Sequence, residues 1–155
     1  MLSIYFAFIL CKEVTYIEDE IRVNDVLFHC VFSSDKKFQI GNGKRSIAQP
    51  LDMIPKYIIP EYVEVDGSKY TVVNLSNYAF SETPFANVVL PKTVVFIGAN
   101  CFENCQYLET VSIKETSISV LPPFCFANSP KFTELIISKT LAYLNESAFA
   151  NTGME

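Results

Sequence analysis

The sequence lacks the marks of several common functional classes. Its 12 Lys and Arg residues are scattered and its net charge is −5, so it has no basic patch of the kind that binds nucleic acid. No apolar run approaches the ~20 residues that a membrane-spanning helix needs. The phosphate-binding loop, the dinucleotide motif G-x-G-x-x-G and the nucleophile motif G-x-S-x-G do not occur. We therefore expect no nucleic acid partner and no transmembrane span.

Chemically active side chains are scarce as well. His29 is the only histidine, and it lies in an alternating segment where a packed or exposed strand residue is more common than a catalytic one. Nothing in the sequence sets the geometry that a Cys–His pair would need. The acidic run Glu18 to Glu20 does not resemble an EF-hand loop. We predict no catalytic residue, no metal site and no cofactor, and we expect that the protein is not an enzyme.

What the sequence does contain is a repeat. Half of its 155 residues are hydrophobic, which is enough for one buried core, and four Phe residues recur at intervals of 22, 24 and 23 residues. Each Phe follows a small residue, and aliphatic residues stand five and eight positions before it. An apolar-x-apolar triplet lies between consecutive Phe residues. The anchors are Phe80, Phe102, Phe126 and Phe149, and the triplets are 88–90, 111–113 and 135–137.

The period of this repeat predicts a solenoid, because it falls within the 20–29 residues of leucine-rich repeats. One copy buries roughly six side chains worth about 1.5–3 kcal/mol each. Ordering its ~23 residues costs roughly 1–2 kcal/mol per residue in backbone entropy, so the copies must stack and share their apolar faces. We expect a β-rich leucine-rich repeat solenoid with one parallel strand per repeat and short helical or irregular turns, preceded by a β-hairpin cap.

The cysteines fit the repeat without a chemical role. Cys101 and Cys125 occupy the small position before the Phe, where other copies have Ala79 and Ala148. Cys101 and Cys105 form a C-x-x-x-C pair, but the second ligand pair of a zinc site is missing, so core packing is the better interpretation. A disulfide between Cys101 and Cys125 is sterically feasible at a coil spacing of ~4.8 Å, although we favour free thiols.

The segment FANVVLPKTVVFIGANCFENC, residues 85–105, resembles the repeat of the BspA-like leucine-rich repeat family, approximately L-x-x-V-x-[IL]-P-x-x-V-x-x-I-G-x-x-A-F-x-x-C. The third copy departs from it at Pro122 and Pro123, and the fourth has Asn145 in place of Gly. The resemblance extends from Val65 to Glu155. It implies a protein-binding module, since members are often surface or secreted proteins of microbes and protists that adhere to host cells, matrix proteins or other microbes. An intracellular scaffold and a truncated repeat copy without an independent role are the alternatives.

Three regions divide the chain. Residues 1–12 contain the apolar run Leu2 to Cys11, which is either a signal peptide or a first strand. Residues 13–70 alternate as strands do and include the hairpin signal Asp66-Gly67, which predicts a β-rich cap. Residues 71–155 hold the repeats and stop inside the fourth copy, so we expect an uncapped end that allows end-to-end self-association. The run and the resemblance favour a cell-surface or secreted protein over a cytoplasmic one.

The repeats also predict where a partner binds. Side chains alternate along a strand, so the middle residue of each triplet and its flanks point outward on the concave side, and we predict that this face binds a protein partner. Two sequons, at Asn74 and Asn145, are candidates for glycosylation. The predicted face consists of Asn87, Val89, Pro91, Thr110, Ser112, Lys114, Glu134, Ile136 and Ser138.

Overall fold

A computed structural model of the protein describes residues 16–23, 26–44 and 52–155. The apolar run Leu2 to Cys11 lies outside the described residues. Within them the chain forms strands joined by turns, and none of these residues is helical. The strands are β1 (Tyr16–Val23), β2 (Val26–Ser33), β3 (Lys37–Ile40), β4 (Tyr57–Ile58), β5 (Tyr62–Val65), β6 (Ser68–Leu75), β7 (Asn87–Val89), β8 (Phe96–Ile97), β9 (Thr110–Ser112), β10 (Val120–Leu121), β11 (Glu134–Ile136) and β12 (Tyr143–Leu144).

The N-terminal part is a mixed sheet in the order β1-β2-β3-β6-β5. β2 pairs antiparallel with β1 and β3, and β5 pairs antiparallel with β6. Alternation along β2 buries Phe28 and Cys30 completely. The turn between β5 and β6 consists of Asp66 and Gly67, whose φ angles are 48° and 71°, as a two-residue hairpin turn requires. The hairpin that the Asp66-Gly67 signal predicts is therefore present.

The repeats form a separate parallel sheet in the order β11-β9-β7-β4. Tyr57 pairs with Val88, Val88 with Val111, and Val111 with Leu135, so the register is continuous over four coils. We number the coils by their strand in this sheet, so that β4, β7, β9 and β11 belong to the first, second, third and fourth coil. Each repeat contributes one parallel strand to this sheet, and the prediction of a β-rich leucine-rich repeat solenoid is confirmed. The first strand, β4, comes from a segment that the sequence analysis placed in the cap.

A second side of the solenoid is built from the pairs β6–β8 and β10–β12, between which the ladder is interrupted. The N–H of Gly98 donates to the carbonyl of Leu75 (2.8 Å), and the N–H of Asn145 donates to Leu121 (3.0 Å). The residue at this position in the third coil is Pro122, which has no N–H to donate. The two halves of this side are therefore not joined by that bond.

Stacked aromatic rings form the centre of the core. The rings of Phe80 and Phe102 lie 5.2 Å apart, those of Phe102 and Phe126 5.5 Å apart, and those of Phe126 and Phe149 5.5 Å apart, all close to parallel. The backbone follows the same spacing, since the N–H of Phe102 donates to the carbonyl of Cys125 at 2.7 Å. The column that the sequence repeat predicts is thus a continuous stack through the solenoid.

Each coil turns through two residues in the left-handed backbone region. Two positions before the Phe stand Tyr78, Asn100, Phe124 and Ser147, and two positions after it stand Glu82, Asn104, Asn128 and Asn151, all with φ between 54° and 60°. Asn tolerates this conformation better than most residues because its short side chain bonds locally. This requirement explains the Asn column of the sequence. Asn151 also donates to the Asn128 side chain at 2.8 Å, which links two successive turns.

Candidate binding surface

The outer side of the parallel sheet, which we call the sheet face, has an uncharged central row. Its members are Ile58, Val89, Ser112 and Ile136, one from each coil, aligned by the strand register. Ile58 is 53% exposed and Ile136 is 37% exposed, while Val89 and Ser112 are half-buried by their neighbours. The two exposed Ile side chains therefore stand at the two ends of the row, and exposed apolar surface of this kind is a feature of protein-binding surfaces.

Polar and charged residues flank this row. On one side lie Asn87, Thr110 and Glu134, the last of them exposed, and Asn87 donates from Nδ2 to the carbonyl of Pro55 at 2.9 Å. On the other side lie Pro91, half-buried, and Lys114, exposed. Eight of the nine predicted residues therefore share one surface.

Ser138 is the ninth, and its predicted position on the surface is wrong. Its side chain is only 4% exposed, and its hydroxyl donates to the carbonyl of Ile118 at 3.0 Å and lies 2.9 Å from the hydroxyl of Thr140. The chain turns inward at this point, and the polar side chain satisfies a backbone carbonyl of the preceding coil. We remove Ser138 from the candidate surface.

Ile58 belongs to the surface but was missed by the sequence analysis. The segment Tyr57-Ile58-Ile59-Pro60 has the same pattern as Val88-Val89-Leu90-Pro91, and this likeness is the signal that could have found it. The first Phe of the repeat is Phe80, which lies far beyond this triplet in the sequence. The hairpin of β5 and β6 separates this triplet from its Phe and lengthens the first coil beyond the repeat period.

The sequence repeat has a direct counterpart among known families. Residues 67–155, more than half of the chain, match the model of the BspA type Leucine rich repeat region (6 copies). The chain belongs to the BspA-type leucine-rich repeat family. Among curated proteins, none matches the sequence significantly. The BspA-type repeats make the chain a protein-interaction module in the coarse sense that applies to leucine-rich repeats.

Two solved structures resemble the BspA-type fold seen here. The crystal structure of the pneumococcal vaccine antigen PcpA has a TM-score of 0.55 and 18% sequence identity, covering 86% of this chain and 42% of that chain. A leucine rich cell surface protein from Faecalibacterium prausnitzii A2-165 has a TM-score of 0.47 and 14% identity, covering 82% of this chain and 45% of that chain. The likeness to PcpA supports the solenoid fold, and this chain spans less than half the length of both proteins.

The cysteines of the BspA-type repeats are buried and unreactive. Cys101, Cys105 and Cys125 are free and inaccessible to solvent. Burial raises the pKa of the Cys105 thiol to about 11 and raises the pKa values of Cys101 and Cys125 well above the ordinary value of a thiol, so these thiols are not nucleophiles at neutral pH. Cys105 donates from Sγ to the carbonyl of Phe80 at 3.0 Å. Ser129 makes the equivalent bond to Phe102 one coil later. Among the described residues, no group of His, Cys, Asp and Glu could hold a metal ion.

The two sequons lie on the second side of the solenoid, away from the sheet face. Asn74 is half-buried in β6. Asn145 is exposed, and its Nδ2 donates to the carbonyl of Leu121 at 2.9 Å. Glycosylation at either position stays a prediction. None of the described residues forms a helix that is long and apolar enough to cross a membrane.

A second apolar area lies beside the interruption at Pro122. Val95, Phe96, Val120 and Tyr143 are between 41% and 70% exposed. A cleft of about 360 Å³ opens between β8 and β10, lined by Phe96, Val120 and Pro122 among others. The repeat does not predict this area, because the outward positions of the second side follow no motif of the repeat.

Proposed function

We propose that this chain is a non-enzymatic adhesion or recognition module that binds a protein partner through the sheet face, on a cell surface or after secretion. The observation that carries the proposal is the row of Ile58, Val89, Ser112 and Ile136 on a sheet with continuous register. An apolar centre with a polar rim is the usual composition of a protein–protein interface. A rigid sheet also binds at low entropic cost, because its side chains are already held in place.

The proposed location rests on different support. The sequence resembles a family whose members are often surface or secreted proteins, and a pneumococcal vaccine antigen shares the fold. Buried thiols are compatible with an oxidising environment, since oxidation needs an accessible thiolate. An intracellular scaffold using the same face is the second candidate.

Substitution at the centre of the face tests the binding site. Ser112→Arg places a long charged side chain in the middle of the row, and we expect binding to weaken by about tenfold or more, as for a central interface position. The probes are purified matrix proteins, epithelial cells and other microbes, measured with the immobilised full chain. Ser117→Arg is the matched control, because Ser117 is exposed in the loop beyond β9. Equal binding by both variants would place the site elsewhere, and absence of binding to every probe would refute the adhesion role.

Expression of the full chain in a eukaryotic secretory host tests the location. We expect the product in the medium or on intact cells, with a loss of mass after enzymatic deglycosylation. The double variant Asn74→Gln, Asn145→Gln should lose the mass shift and keep the location. A product found only in the cytosol without glycans would contradict the surface assignment and favour the intracellular scaffold.

A further inference from the structure

The charges around the sheet face form a pattern that is complementary to itself. In the first coil Lys56 precedes the strand and Glu61 follows it, whereas in the fourth coil Glu134 and Lys139 occupy the corresponding positions. Lys56, Glu134 and Lys139 are exposed and Glu61 is partly exposed. The two ends of the face therefore carry opposite charges at both flanks.

The middle coils continue this pattern. At the position of Glu61 the second coil has Lys92 and the third has Glu115, so the sign alternates from coil to coil along this flank. Glu61 and Lys92 already meet within the chain, with 3.2 Å between Oε1 and Nζ. A reversed copy of the same flank presents the opposite sign at every coil.

We propose that the sheet face binds a second copy of this chain, packed face to face with the order of its coils reversed. This inference rests on the proposed function, since it names a partner for the same surface. A two-fold axis parallel to the strands generates such a pair, and the resulting interface is isologous.

This arrangement places opposite charges together at every coil. Lys56 of one copy faces Glu134 of the other, Glu61 faces Lys139, and Lys92 faces Glu115. In the centre Ile58 faces Ile136, and Val89 faces Ser112, so the two exposed Ile side chains cover each other. Each of these contacts occurs twice because of the symmetry.

The other in-plane two-fold axis, along the stacking direction, satisfies fewer charges. It keeps the order of the coils and reverses the strands, so Lys56 faces Glu61 and Glu134 faces Lys139. Lys92 and Glu115 then face Asn87 and Thr110, which are uncharged. The reversed order is favoured because it pairs six of the seven charged residues of the face, while Lys114 faces the uncharged Pro91.

The expected dimer is weak. About fifteen outward side chains per copy take part, fewer than the 20–30 residues per side of a standard interface. Electrostatic complementarity then determines register and association more than affinity. Exposed ion pairs are also screened, since the Debye length is about 10 Å at 0.1 M ionic strength.

Sedimentation of the full chain over a wide concentration range, at low and high ionic strength, is the first measurement. We expect a reversible monomer–dimer equilibrium that shifts to monomer as salt is added. A wild-type chain that stays monomeric at every concentration and low salt would overturn the inference. This readout needs no variant and does not depend on how any substitution folds.

Charge reversal then tests the predicted contact. Lys56→Glu and Glu134→Lys should each weaken dimerisation by about tenfold, because two attractive contacts become repulsive. An equimolar mixture of the two variants should recover wild-type association, since the reversed charges meet each other and the remaining native pair is kept. The controls Lys131→Glu and Glu82→Lys make the same charge changes in the turns outside the sheet face and should have no effect.

The mixture also decides the geometry. Under the other two-fold axis the reversed Lys56 would meet Glu61, so mixing would not restore the dimer, and this result would overturn the reversed order. If dimerisation were unaffected by both charge reversals but weakened by Leu144→Glu, the dimer would instead use the exposed surface of the fourth coil. Leu144 is 59% exposed there.

The inference and the proposed function can fail separately. Monomeric wild-type protein whose binding to matrix proteins or cells still falls with Ser112→Arg refutes the dimer and leaves the proposed function intact. If the chain forms charge-dependent dimers but its binding to matrix proteins or cells is unchanged by Ser112→Arg, the dimer is supported and the proposed binding site is refuted.

Discussion

The variant Phe102→Ala should lose about 3–5 kcal/mol of unfolding free energy, the usual cost of truncating a buried Phe. Phe102 is inaccessible to solvent and stacks between Phe80 and Phe126 at 5.2 and 5.5 Å. Alanine would leave a cavity in the second coil, between the Phe rings of the first and third coils. Because coils in a solenoid stabilise only their neighbours, the loss weakens the coupling between the first and third coils.

Urea unfolding followed by circular dichroism measures this loss. The matched control is Phe96→Ala, since the Phe96 side chain is 52% exposed on the second side, and we expect a cost below about 1 kcal/mol. Similar losses for the two variants would show that the aromatic column is not the main contribution to the core.

The second large effect is expected for Gly98→Ala. A Cβ at this position would lie 2.3 Å from the backbone N of Asn77 and 2.5 Å from the carbonyl carbon of Ser76. Backbone atoms cannot move aside without separating the coils, which would also strain the bond from the Gly98 N–H to Leu75. We expect a loss of about 3 kcal/mol, as for an overpacked core site.

Thermal unfolding of the full chain tests this prediction, with Gly67→Ala as the control. A Cβ at Gly67 meets no atom within 4 Å, and its only penalty is the left-handed backbone with φ of 71°, worth about 1 kcal/mol. If Gly98→Ala were no more destabilising than Gly67→Ala, small backbone shifts would be enough to make room for the added methyl group between the first and second coils. This result would contradict the prediction.

Much of the fold could be predicted because it repeats. The four Phe anchors, the small residues before them and the triplets after them recur in register, and stacking turns each recurring residue into a column of the core. Cys101 and Cys125 could be placed inside for the same reason. The residues of the sheet face were harder to predict from the sequence, since alternation gives the direction of a side chain only while the chain remains a strand.

The sequence by itself determined the solenoid, its period, its aromatic core and most of the sheet face, because these depend on interactions that every coil makes in the same way. Only the tertiary structure decided the exceptions. The chain turns inward at Ser138, so this residue bonds to the coil before it. Ile58 joins the face because a hairpin inserted in the first coil leaves the strand register intact. Pro122 removes one donor and interrupts the second side. Each of these three exceptions depends on contacts between coils that differ in length or composition. A repeat pattern describes only what the coils have in common, so it does not predict them.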